Sequence, residues 1–177
     1  MYSSDPDKPI ITYTQVYTVH DRFTNGNEQY RLELNADVMD PQGTADITSV
    51  TVTAPGGEIY TLYNDGMHSD GNAGDSRFSN YDLPLTGSPA TGDYTFTAVD
   101  GLGNTATLLD PLNSIPMVPG NMVPENNGYV SIDKPDYRWD AIPGATSYTI
   151  DVQDVNNNFI WSRNNITSNT VQHNDDG

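Results

Sequence analysis

Polar and apolar residues alternate along much of the chain, most clearly in YRLELNADV at 30–38. Tyr30, Leu32, Leu34, Ala36 and Val38 fall on one face, and Arg31, Glu33, Asn35 and Asp37 on the other. A period of two with one apolar face predicts a strand half buried against a partner sheet. IITYTQVYTV puts Ile11, Tyr13, Tyr17 and Val19 on one predicted face. ITSVTVTA and GEIYTLY predict two more strands, joined by a turn at Pro55-Gly56-Gly57. GDYTFTAVD alternates Tyr94, Phe96 and Ala98, and TATLL follows after the hairpin-type connection Gly101-Leu102-Gly103-Asn104. Helical periodicity is nearly missing. About seven short strands within residues 8–112, separated by turn signals, predict an antiparallel β-sandwich.

The alternation stops at DPLNSIPMVPGNMVPENNG, where Pro111, Pro116, Pro119 and Pro124 remove backbone donors and stiffen the chain. The predicted organisation is a sandwich at 8–112, a proline-rich linker at 113–128 and a second module at 129–177. Part of the linker can serve as the first edge strand of that module, where proline is tolerated. The two modules share no repeat of fixed period.

Two resemblances refine this picture. TGDYTFTAVDGLGNTATL is similar to the last hairpin of bacterial immunoglobulin-like modules: Gly-x-Tyr-x-Phe, a Val-Asp step, Gly-Asn and a final strand. KPDYRWDAIPGATSYTIDVQDVNNNFIWSRNNIT resembles the fibronectin type III family through Pro135, Trp139, Pro143-Gly144-Ala145, Tyr148, Ile150 and Val152. That resemblance implies a core Trp139, an inward-facing Tyr-x-Ile-x-Val strand and a turn at residues 156–158. The family continues with two further strands, whereas this sequence stops at QHNDDG. The expectation is therefore all-β: two tandem antiparallel sandwich modules, the second incomplete, with an inner strand left at an open edge.

Composition narrows the partners. Of 177 residues, 24 are Asp or Glu and 7 are Lys or Arg, a formal net charge of −17. Such a field repels phosphate backbones and anionic membrane surfaces and attracts divalent cations. Nucleic acid is not an expected partner. No apolar run has the length of a membrane span, so membrane insertion is not expected either. The 11 Tyr, 4 Phe and 2 Trp favour packed modules over acidic disorder. Cysteine is absent, which rules out disulfides and thiolate metal sites. MYSSDPDKP has neither the basic nor the apolar part of a signal peptide. An internal piece of an exported bacterial protein, with neighbouring domains in a longer parent chain, fits these features.

One stretch has the composition of a site. NDGMHSDGNAGDSRFS at 64–79 holds three aspartates, two asparagines and three glycines between two predicted strands. Hard cations take six to eight oxygen ligands, and Asp65, Asp70, Asn72 and Asp75 supply four candidates for Ca²⁺. The stretch is not an EF-hand, since Tyr81 stands where the twelfth-position glutamate belongs. It resembles an acidic loop of bacterial immunoglobulin-like modules through Asp65-Gly66, Asp70, Ala73-Gly74-Asp75 and Phe78, with Asn64 replacing an aspartate. The same residue types also build a rigid loop in which aspartates accept neighbouring N–H groups. Both readings stay open at this level.

Catalytic signals are weak. Paired carboxylates of the glycosidase kind need one raised pKa and an apolar pocket, and this loop is polar. His20, His68 and His173 are dispersed, and no nucleophile-elbow, zinc or phosphate-loop motif occurs. Trp161, Tyr60, Tyr63 and Tyr81 are candidates for stacking on sugar rings, and most tyrosines of a sandwich are amphipathic packing residues. The Asn165-Ile166-Thr167 sequon carries no weight in a bacterial setting. The expected function is non-catalytic: an extracellular or cell-surface spacer, display or adhesion element with Ca²⁺ as candidate stiffener and a protein or polysaccharide ligand. The alternative is an accessory carbohydrate-binding module of a secreted hydrolase.

Overall fold

In the computed structural model, residues 7–22, 27–124, 134–154, 156 and 158–173 are described. The chain divides into two compact units, one of Met1–Asp21 and Gln29–Pro116 and one of Arg22–Glu28 and Met117–Gly177. The main division thus falls within the proline-rich stretch.

Among the described residues the first unit contains seven strands: β1 (Ile10–Arg22), β2 (Glu28–Met39), β3 (Ile47–Thr53), β4 (Ile59–Leu62), β5 (Arg77–Leu85), β6 (Gly92–Asp100) and β7 (Thr105–Leu112). They form a three-stranded sheet in the order β1-β2-β5 and a four-stranded sheet in the order β4-β3-β6-β7. The pairings of β2 with β5 and of β3 with β4 and β6 are antiparallel, as is that of β6 with β7. Leu32, Leu34, Ala36, Val38 and Phe78 from one sheet meet Val50, Val52, Leu62, Tyr94, Phe96 and Ala98 from the other in one buried core. Alternation in β2 and β6 therefore has the cause the sequence implied: each strand turns every second side chain toward the facing sheet.

β1 departs from the expected face. Tyr13 and Tyr17 are 47% and 50% exposed, whereas Ile11 and Val16 pack against the core and Thr18 is buried. The inward positions change parity along the strand, which a single alternation cannot follow. Near that change the Val16 N–H donates to Asp110 Oδ2 on β7 at 3.1 Å, a side-chain acceptor in place of a ladder carbonyl.

The turns follow their chemistry. Ala54 N–H donates to the Glu58 carbonyl and Gly57 N–H to the Ala54 carbonyl, closing the β3–β4 turn. After β6, Asp100 Oδ1 accepts from Leu102 N–H and Asn104 N–H, and Asn104 Nδ2 donates back to Asp100 Oδ2. The second unit repeats this device: Asp154 Oδ1 accepts from Asn156 and Asn158 N–H, and Asn158 Nδ2 donates to Asp154 Oδ2.

The second unit has β8 (Asp136–Arg138), β9 (Tyr148–Gln153), β10 (Phe159–Ile166) and β11 (Thr170–Gln172). β8 pairs with β11 and β9 with β10, both antiparallel. Val123 bridges to Arg138, so a residue of the proline-rich stretch extends the β8 sheet. Trp139, Trp161 and Ile166 are buried, and Trp139 meets Tyr148 edge to face at 5.2 Å. Tyr148, Ile150 and Val152 alternate as expected but are only half buried. Among the described residues β9 pairs with β10 alone, leaving its other edge open.

Candidate functional site

The acidic loop is a closed structure. Tyr63 and Ser79 exchange backbone hydrogen bonds of 2.9 Å in both directions and tie its two ends together. Asp70 sits at the centre with no exposed surface. Its Oδ2 accepts from Gly66 N–H at 2.8 Å and its Oδ1 from His68 N–H at 3.1 Å. Burial opposes ionisation of this carboxyl, but the surrounding backbone N–H groups outweigh it and hold its pKa below the ordinary aspartate value. Asp65 Oδ1 meets His68 Nδ1 and accepts from Met67 N–H, each at 2.9 Å. The His68 contact and the Met67 N–H lower the Asp65 pKa. Asp75 Oδ2 accepts from Asn72 N–H and Oδ1 from Arg77 N–H. Asn64 uses both ends of its amide, with Oδ1 accepting from Gly74 N–H and Nδ2 donating to the Asp75 carbonyl. A carboxylate at position 64 has no such donor.

Gly71 is required here. Its φ is +91°, and a Cβ would lie 2.7 Å from Asp75 Oδ2. His68 stacks on Tyr63 with ring centroids 4.1 Å apart. Asp65, Asp70 and Asp75 each serve as an acceptor for a different turn of the loop, and the exposed Asn72 contributes its backbone N–H. A cation entering the loop would compete with these donors.

A second acidic group lies at the same end of the sandwich. Among the described residues, Asp40, Asp46 and Asp100 place one carboxylate oxygen each within 4.8 Å of one another. Asp40 follows β2, Asp46 ends a short 3-10 turn before β3, and Asp100 ends β6. Cross-strand pairing explains the meeting, since Ile47 is the partner of Asp100 in the β3–β6 ladder. Gly101 lets the backbone pass Asp46: a Cβ there would lie 2.7 Å from Asp46 Oδ1. Asp40 Oδ1 accepts from Gln42 N–H, while Asp40 Oδ2 is buried without a hydrogen-bond partner. Asp100 is 2% exposed. Burial again disfavours its charge, and the Asn104 side chain and the N–H groups of Leu102 to Asn104 prevail and lower its pKa. Sequence reading did not single out these residues, because Asp40 and Asp100 lie far apart in the chain. The Asp-x-x-x-Asn spacing at Asp100 and Asn104 was the one local signal.

The aromatic candidates separate by exposure. Trp161 is 6% exposed and packs against Tyr137 and His173, which also meet each other at 6.2 Å, so it is covered within the second unit. Tyr60 packs against the core and Tyr63 carries His68. The Tyr81 hydroxyl accepts from Asn35 Nδ2 and from Arg77. Asn35 Nδ2 also donates to Gln15 Oε1, so the outward side of β1-β2-β5 carries an amide and phenol network beside exposed Tyr13 and Tyr17. Comparison with protein-family models, curated proteins and solved structures returned no match to this chain.

Proposed function

We propose that the chain is a non-catalytic β-sandwich element of an extracellular or cell-surface bacterial protein, acting as spacer, display or adhesion module. The observation that carries this reading is the way its polar chemistry is committed to holding turns. The strand orders β1-β2-β5 and β4-β3-β6-β7 match the A-B-E and C′-C-F-G sheets of immunoglobulin-like sandwiches. The Tyr94 hydroxyl donates to the Ala90 carbonyl at 3.0 Å, near the start of the sixth strand. That is the position of the tyrosine corner in such sandwiches. These features support the immunoglobulin-like assignment of the first module, and the two-by-two pairing of β8 to β11 is compatible with a fibronectin III-like second module.

Ca²⁺ is the proposed stiffener. Two acidic groups compete for that role: the loop of Asp65, Asp70, Asn72 and Asp75, and the group of Asp40, Asp46 and Asp100. The second group is favoured by its one buried oxygen without a donor, Asp40 Oδ2, although Asp100 there is held by Leu102 and Asn104 much as the loop carboxylates are held by their own N–H groups. Extracellular calcium modules bind at about 10⁻⁴–10⁻³ M, and calcium at 100 times the dissociation constant stabilises the fold by about 2.7 kcal/mol. Thermal melting with EDTA and with excess calcium, at matched ionic strength, tests this. A calcium-dependent rise that Asp46→Asn abolishes and Asp65→Asn retains places the ion between β2, β3 and β6. The reverse pattern places it in the loop, and an unchanged wild-type melting temperature removes calcium from the proposal.

The alternative, an accessory carbohydrate-binding module, draws support from the exposed Tyr13 and Tyr17 beside the Gln15–Asn35–Tyr81 network. Saturable binding to a polysaccharide panel, lost in Tyr13→Ala with Tyr17→Ala, would favour it.

A further inference from the structure

The first sandwich is not sealed at the end opposite the acidic loop. A cleft of about 320 Å³ opens there between the two sheets. Its floor is Leu32, Ala54 and Tyr94, and its rim is formed by Glu58, Tyr60 and the Thr86–Ala90 connection. The volume lies at the lower end of the range of small-ligand pockets, about 300–1,000 Å³. The rim is held in place: Tyr94 ties the connection at the Ala90 carbonyl, and Gly92 packs against Pro55, where a Cβ would lie 3.2 Å from Pro55 Cγ. The cleft therefore exists before any ligand arrives.

Its chemistry is one-sided. The walls combine aliphatic and phenolic groups with the polar Thr86–Ser88 segment, and Glu58 is the charged residue of the lining. No lysine or arginine lines it, and no hydrogen bond or ion pair reaches the Glu58 carboxylate among the described residues. Glu58 acts on its neighbours, adding to the rise that burial already imposes on the Tyr60 and Tyr94 phenols. An aliphatic stem ending in a cation complements this arrangement. The stem would lie on Leu32, Ala54 and Leu85, with the charge at Glu58 and the Tyr60 ring. The formal net charge of −17 raises the local concentration of such ligands and lowers that of anionic ones.

We propose that this cleft takes a lysine or arginine side chain presented by an extended segment of a partner protein. The proposal rests on the reading of the chain as a display or adhesion element and names the chemistry of its partner. It requires no covalent step and no metal.

The test is amide chemical-shift titration of the whole chain with three uncharged-end pentapeptides, carrying a central lysine, arginine or norleucine, and with a neutral cello-oligosaccharide. The lysine or arginine peptide should shift the amides of Glu58, Tyr60, Thr86, Gly87, Ser88 and Ala90, with weak affinity that falls as NaCl rises. Glu58→Gln should weaken binding by about 1.5- to 5-fold, the range of an exposed ion pair. Tyr60→Ala should weaken it further. Equal binding of the norleucine peptide would overturn the charge recognition, and preferential binding of the oligosaccharide at the same residues would replace the partner class. No shift with any basic peptide would dismiss the cleft proposal, while the calcium melting result would stand on its own.

Discussion

Several aspartates organise backbone in this chain. Asp70, Asp100 and Asp154 each accept two or more N–H groups from the turn that follows or surrounds them. Acceptors of this kind matter most where water is excluded, because an abandoned donor keeps its full desolvation cost. Asp70→Ala should therefore destabilise the first unit by about 2–3 kcal/mol, read from urea unfolding. A change near zero would mean that water replaces the carboxylate. Tyr94 provides a separate check. Its phenol is buried and bonded to Ala90, and burial first, then the charges of Tyr60 and Glu58, push its pKa up to about 12. The unfolded phenol ionises near 10. The folded value is the higher, so this contribution is complete below about pH 10 and fades as pH rises toward the folded value. Absorbance titration should find Tyr94 among the tyrosines that resist ionisation at pH 11, and Tyr94→Phe should remove its component at a cost of about 1 kcal/mol. The loop aspartates were visible in the sequence as a composition. Their role as N–H acceptors depends on which amides the folded loop turns inward, and residue types alone do not decide that.

At the scale of elements, β2 and β6 were legible because both lie inside the sandwich and obey one alternation throughout. β1 was legible as a strand but not in its inward face, because it changes the parity of that face and lends the Val16 N–H to Asp110 on β7. Burial raises the Asp110 pKa, the cost of placing an acceptor at that crossing, although Thr14 and Val16 donate to it. The Asp40–Asp46–Asp100 meeting was equally hidden, since it follows from strand pairing and not from spacing. The two units differ in cover. The first closes a core of thirteen buried residues. In the second, Tyr148, Ile150 and Val152 stay half exposed beside a β9 edge that is open among the described residues. Burial contributes only to the extent that the side chain is covered. Amides of β9 and β10 should exchange faster than those of β2, β3 and β6, and limited proteolysis should cut 113–124 before β2. Equal protection in both units would mean that β9 is covered by contacts outside those described.

Across the whole molecule, charge sets two opposed pH dependences. The chain carries a formal −17 at neutral pH, and its sequence pI is about 4.1. Lowering pH from 7 toward that value removes repulsion among exposed carboxylates and should favour the compact state. The aspartates that hold turns act in the other direction. Asp65, Asp70, Asp100 and Asp154 all have folded pKa values below their ordinary ones. Their contribution is present above the unfolded carboxylate pKa, near 3.9, and is lost as pH falls through the depressed folded values. The relief of repulsion comes first on acidification and the loss of turn acceptors second. Stability should therefore pass through a maximum on the acid side of neutrality, at about pH 4.5–5.5, and collapse below about pH 3.5. Added NaCl should raise stability at pH 7 and do little near the maximum, because screening and protonation remove the same repulsion. Urea unfolding at pH 7, 5 and 3, each in 20 and 300 mM NaCl, measures both effects. A steady decline from pH 7 to 5 would show that the acidic surface is too dispersed for repulsion to matter. The turn-holding aspartates would then govern the pH dependence alone.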